Sequence, residues 1–155
     1  MKHLVLDKKR ILEFQNNVDP YLMIDHAEKV IPGKLSEGYK ILDKNDWYFK
    51  AHWKNDPNLP GMLQIEALLQ MSSLAILTLP GNKKKFLYLT SASKLKFIKK
   101  ITPEYKKFYL KTKVKSFKRG LAFLTGEGFL NNYLACSAEF CLVLPDDLKK
   151  FKMEK

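Results

Sequence analysis

Three histidines occur in this chain of 155 residues, and their surroundings set one apart as a group that could move a proton. His52 lies in Trp47-Tyr48-Phe49-Lys50-Ala51-His52-Trp53, flanked by aromatic rings. Such a setting favours the neutral imidazole, the form a general base needs. Glu66 follows fourteen positions later, with Gln70 and Ser73 spaced i+4 and i+7 from it. On a helix those three side chains share one face. A polar row on an otherwise apolar helix is either a site or a face that meets solvent or a partner subunit. Glu66 falls in the first turns, where the helix terminus favours a carboxylate, while burial favours the neutral acid. A carboxyl group pulled both ways suits an acid or a holder of water. His3 is terminal and expected to be exposed, and His26 reads as a surface pair with Asp25 at the end of a short strand.

The element that must carry Glu66 runs from Gly61 to Leu79. Met62, Leu63, Ile65, Ala67, Leu68, Leu69, Met71, Leu74, Ala75, Ile76 and Leu77 make it apolar on nearly every side. A helix of that composition has to be buried all round. Pro57-Asn58-Leu59-Pro60-Gly61 stops regular structure before it and Pro80-Gly81 ends it, leaving about five turns.

The rest of the second half reads as strand. Phe108, Leu110, Thr112 and Val114 alternate with Tyr109, Lys111, Lys113 and Lys115, a period of two with lysines outward. Lys118-Arg119-Gly120 and Asn131-Asn132 are turns into Leu121–Phe129 and Tyr133–Leu144. With Gly38–Leu42, Phe86–Leu89 and Leu95–Ile98 the expectation is a sheet of five or six strands. A curved antiparallel sheet wrapped around one long buried helix, an α+β arrangement, buries such a helix. The first 15 residues are compatible with helix, Tyr21–Ile24 with a short strand, and residues 145–155 with a charged tail. No repeat or linker divides the chain, so one domain is expected.

Of 28 Lys and Arg against 16 Asp and Glu, residues 1–78 hold 10 and 10 while residues 79–155 hold 18 and 6, so the net +12 belongs to the second half. The N-terminus lacks a signal-peptide core, and no run approaches the roughly 18 apolar residues of a membrane span, which points to a cytoplasmic protein. Cys136 and Cys141 lie five apart in one expected strand, hence on opposite faces, and are expected to be unbridged and inert. Neither they nor the histidines form a ligand cluster, so no metal is expected.

The stretch Ala51-His52-Trp53-Lys54-Asn55-Asp56-Pro57-Asn58-Leu59-Pro60-Gly61-Met62-Leu63-Gln64-Ile65-Glu66-Ala67-Leu68-Leu69-Gln70 resembles the active-site signature of the β-hydroxyacyl-acyl-carrier-protein dehydratases of the hotdog fold. It shares the His, the Pro five positions on, the Pro-Gly before the helix, and Glu-Ala with Gln four residues after the Glu. Asp19-Pro20-Tyr21-Leu22-Met23-Ile24-Asp25 and Lys96-Phe97-Ile98-Lys99-Lys100-Ile101-Thr102-Pro103 resemble flanking segments of that family, so the likeness spans most of residues 16–144.

The resemblance implies that His52 takes a proton from C2 of a 3-hydroxyacyl thioester and that Glu66 protonates the departing hydroxyl, directly or through a water. It implies that the Gly61 N–H polarises the thioester carbonyl, that Gln70 steadies the site, and that Tyr88 falls near a tunnel gate. It also implies no cofactor, a homodimer with shared sites that can assemble further as a trimer of dimers, and an acidic acyl carrier protein as partner. Lys94, Lys96, Lys99 and Lys100 are the expected docking residues. A hotdog thioesterase, in which Glu66 directs water at the thioester, is the alternative on the same fold. A non-catalytic acyl-carrier or nucleic-acid binding module is the alternative of another class. Between Lys83 and Arg119, 14 basic residues meet one acid, Glu104, and such a surface suits phosphates. The strand alternation weighs against nucleic acid, because it turns most aromatics inward.

Overall fold

The computed structural model describes residues 3–152, with side chains through residue 149; the ends of the expected N-terminal segment and charged tail lie outside the described residues. In chain order the elements are β1 (Leu4–Asp7), α1 (Lys8–Phe14), β2 (His26–Ile31), β3 (Leu35–Ile41), α2 (Trp47–Ala51), α3 (Gly61–Leu77), β4 (Tyr88–Phe97), β5 (Lys107–Lys118), β6 (Leu121–Leu130), β7 (Tyr133–Val143) and α4 (Pro145–Lys152). The strands form one antiparallel sheet in the order β1-β2-β3-β5-β6-β7-β4, with α3 packed on β2, β3, β5, β6 and β7. This is the hotdog arrangement that the resemblance implies.

The helix forms where the sequence places it, ending two residues early at Leu77. Ala67, Leu68, Met71, Leu74 and Ile76 are fully buried. Each large apolar side chain among them contributes about 1.5–3 kcal/mol on leaving water, so packing holds α3 in place. In β5, Phe108, Leu110 and Thr112 face the helix while Lys111, Lys113 and Lys115 are exposed. The strand's period of two is thus resolved into a packing face and a charged face. None of the described helices is long and apolar enough to cross a membrane.

Several local expectations are corrected. The first 15 residues hold a short strand before their helix, because Leu4 and Leu6 pair with Val30 and Ala27 of β2. Tyr21–Ile24 makes no strand; Leu22, Met23 and Ile24 are buried as a loop segment against α3. His26 is not paired with Asp25. Asp25 is held by Lys40 Nζ at 2.9 Å and by the Ile41 N–H at 2.7 Å, and the His26 ring rests on Tyr39. Phe86–Leu89 and Leu95–Ile98 are replaced by one edge strand, β4, whose pairing with β7 shifts register between Ser93 and Lys96. Lys94 sits in that irregularity at φ 51°, which re-aims the strand without ending it. The start of the tail is helical, with Pro145 at its head and Asp146 and Asp147 in its first turn.

Candidate active site

His52 is the residue that ends α2, a helix of five residues whose Tyr48 and Phe49 are buried. Its N–H bonds back to the Tyr48 carbonyl at 2.9 Å. The side chain is held by the loop that follows: His52 Nδ1 donates to the Asn58 carbonyl at 3.1 Å, and the Asn58 N–H donates to the His52 carbonyl at 3.3 Å. A carbonyl can only accept, so Nδ1 carries a hydrogen, and in the neutral ring the lone pair then falls at Nε2. That is the tautomer a base at Nε2 requires. Trp53 stacks on the imidazole with ring centroids 4.4 Å apart. Asn58, whose amide donates to the Asp56 carbonyl at 2.7 Å, is the residue that orients the His52 ring, and in the sequence it stands out only as part of a breaker segment.

The loop is in turn tied to the sheet and the helix. Leu59 N–H bonds to the Ile101 carbonyl at 2.8 Å, and Gln64 Nε2 donates to the Leu59 carbonyl at 3.0 Å. Gly61 begins α3 with its N–H in the first turn, where no helical acceptor exists for it. A Cβ at this position would lie 3.0 Å from the Phe97 ring at the end of β4, so glycine is what lets β4 close over the helix start.

Glu66 is half-buried on α3. Gln70 Nε2 donates to its Oε1 at 2.8 Å. Burial pushes the Glu66 carboxyl above the usual range, and the hydrogen bond from Gln70 pulls it back in part. The polar row is therefore only partly a wet face. Gln70 is 2% exposed and clamps the loop before β2, taking the Met23 N–H at 2.8 Å and giving to the Tyr21 carbonyl at 2.9 Å. Ser73 turns its hydroxyl to the Gln70 carbonyl of its own helix.

Glu66 and Gln70 are thus brought together, whereas the partners of His52, Asn58 and Trp53, are not shared with Glu66. Tyr88 stands at the start of the edge strand, exposed, with Phe86 beside it at 6.4 Å. The four lysines expected at a docking face have different surroundings. Lys94 pairs with Glu139 at 3.0 Å, and Lys100 pairs with Asp56 of the His52 loop at 2.7 Å. Lys99 lies over Tyr133, and Lys96 is exposed. On the outer sheet face Lys107 covers the Tyr39 ring and Lys111 the Phe129 ring, so these ring faces are occupied by ammonium groups.

The fold is a hotdog sheet around a helix that carries a half-buried carboxyl, preceded by a loop that holds an imidazole by its Nδ1. A family model described as the FabA-like domain matches residues 17–139, and the chain belongs to this family. The chain is 37% identical over 100 residues to the 3-hydroxyacyl-acyl-carrier-protein dehydratase FabZ of Clostridium novyi, covering 64% of this chain and 70% of that one. The enzyme of the same name from Roseiflexus is 30% identical over 128 residues, covering 83% and 89%. Among solved structures, the dehydratase heterocomplex ApeI:P of Xenorhabdus doucetiae superposes with a TM-score of 0.72 at 9% identity, covering 94% and 97%, a likeness of fold.

Proposed function

We propose that this protein dehydrates 3-hydroxyacyl thioesters carried on acyl carrier protein to trans-2-enoyl thioesters, in fatty-acid or related lipid synthesis in the cytoplasm. The observation that carries this reading is the presence of two groups suited to move protons: an imidazole held at Nδ1 by the Asn58 carbonyl, which leaves base chemistry to Nε2, and a carboxyl that burial pushes toward its protonated form. His52 Nε2 takes the C2 proton, and the electron pair of that C–H bond becomes the C2–C3 double bond. The C3–O bond breaks, and Glu66 supplies the proton that makes the leaving hydroxyl water. Negative charge that builds on the thioester oxygen meanwhile is met by the Gly61 N–H at the head of α3. Transfer of a proton from imidazolium to carboxylate resets both groups.

The same reading makes the working unit a homodimer of single-domain subunits, His52 from one meeting Glu66 from the other, with three dimers in a larger assembly. Its support is the separation of the two residues' partners within the chain and the apolar side chains left exposed along the β4 edge, Tyr88, Leu89, Leu95 and Phe97 among them. Gln70 steadies Glu66, Tyr88 borders the acyl tunnel, and Lys94, Lys96, Lys99 and Lys100 receive the acidic carrier.

Incubation with 3-hydroxyacyl carrier-protein thioesters of several chain lengths, followed by mass, tests the reaction. Loss of water with the thioester intact is expected. Release of free carrier thiol instead would show a thioesterase, and no turnover at any chain length would sink both.

A further inference from the structure

Consecutive peptide groups join the carbonyl that holds His52 to the N–H that begins α3. The first, between Asn58 and Leu59, accepts from His52 Nδ1 at 3.1 Å through its carbonyl and donates to the Ile101 carbonyl at 2.8 Å through its N–H. The second, between Leu59 and Pro60, has no hydrogen to give, so the Leu59 carbonyl is the one polar group by which it can be held. The third, between Pro60 and Gly61, carries the N–H that the proposed reaction uses. Gln64 holds the second and the third together: its Nε2 donates to the Leu59 carbonyl at 3.0 Å, and its backbone N–H donates to the Pro60 carbonyl at 3.0 Å.

Gln64 is 5% exposed and lies two residues before Glu66, about 200° away around the helix. It therefore stands outside the polar row of Glu66, Gln70 and Ser73. An apolar side chain of the same length would fill its place; what the amide adds is a hydrogen for the Leu59 carbonyl. We infer that Gln64 is a positioning residue for His52 and for the Gly61 N–H, fixing the loop that carries both to the helix that carries Glu66. The inference rests on the dehydratase reading for its chemical meaning. A base and an oxyanion donor work from set positions, and a misplacement of about 1 Å can cost about a hundredfold in rate. Leu59 is gripped from one side by Ile101 and from the other by Gln64, so removing the second grip lets the Asn58 carbonyl turn away from the imidazole.

Gln64→Met keeps the length of the side chain and removes the donor. Gln64→Leu, with a residue of the kind that fills most of α3, repeats the test if the first variant does not fold. Nitrogen-15 shifts of the His52 ring, assigned by their loss in His52→Ala, report which ring nitrogen carries the hydrogen. The neutral ring of the parent should be in the Nδ1–H form, and that of the variant should shift to a mixture of both tautomers. With 3-hydroxyacyl carrier-protein thioesters, kcat should fall about ten- to a hundredfold with KM little changed. Ring shifts identical to the parent's overturn the hold on His52, and moved shifts with unchanged kcat overturn its part in the reaction. Failure of both variants to fold would make Gln64 a residue of the core and overturn the inference as well. A parent protein without dehydratase activity removes that reading, and the ring shifts alone then decide whether Gln64 sets His52.

Discussion

Gln70 Nε2 stands 2.8 Å from Glu66 Oε1, one helical turn away, while its own Oε1 takes the N–H of Met23. One amide thus ties the candidate acid to the loop that packs on its helix. Truncation to alanine leaves the Met23 N–H and the Tyr21 carbonyl without their partner, and an unsatisfied buried polar group costs about 1–3 kcal/mol. Gln70→Ala should lose stability of about that size in urea melts. A change below about 0.5 kcal/mol would mean that the clamp is redundant.

Glu66 gives a pH signature that is independent of activity. Its carboxyl is raised in the folded protein by burial, so the folded state binds the proton more tightly than the unfolded state does. Its contribution to stability is fully present below the unfolded carboxyl range and is lost as pH rises through the folded value. Glu66→Gln, neutral at all pH, should therefore be more stable relative to the parent at pH 7 than at pH 4. Thermal melts at the two pH values check this, and an equal difference at both contradicts it.

For the reaction itself, His52→Ala and Glu66→Gln should each lower kcat by about 10²–10⁴, the usual worth of a positioned acid or base. Initial rates by mass or by enoyl absorbance give the comparison. A variant at parental rate would show that its residue was assigned wrongly.

Gly38 tests the packing of β2 on β3. A Cβ there would sit 2.0 Å from the His26 carbonyl oxygen and 2.7 Å from the Ala27 Cα, both backbone atoms that cannot swing aside. Gly38→Ala should cost about 3 kcal/mol or more, beyond ordinary overpacking. Soluble, parental-stability protein would show that the two strands can part locally.

Cys136 is fully buried, and burial pushes its thiol up to about 12, while Cys141 is half-buried. Since the thiolate is the reactive form, a thiol reagent at pH 8 should modify Cys141 in the native protein and Cys136 only after urea is added. Two equivalents reacting together in buffer would refute this.

What could be read in advance follows from how much each segment repeats. Helix α3 is legible because eleven of its 17 residues are apolar and Pro60-Gly61 and Pro80 bound it. Strands β5 to β7 are legible because alternation persists between clear turns. The segment read as two strands, β4, and the two left unassigned, β2 and α2, lack a steady period: β4 carries a register shift at Lys94, β2 has one between Ala27 and Lys29, and α2 is too short to show helical spacing. His52 and Glu66 stood out as polar groups in apolar company. Asn58 holds the His52 ring through its backbone carbonyl, which no residue type announces.

The alternation in β5 has an effect on how such a protein can change. Lys111, Lys113 and Lys115 point away from the helix that Leu110 and Thr112 touch, so neighbouring codons answer to different demands. Every second one is constrained by volume, and the others are free to track the charge of whatever the sheet meets. A new partner can be accommodated by rewriting the outer residues alone, with the proton chemistry on the far side of the same strand left unaltered.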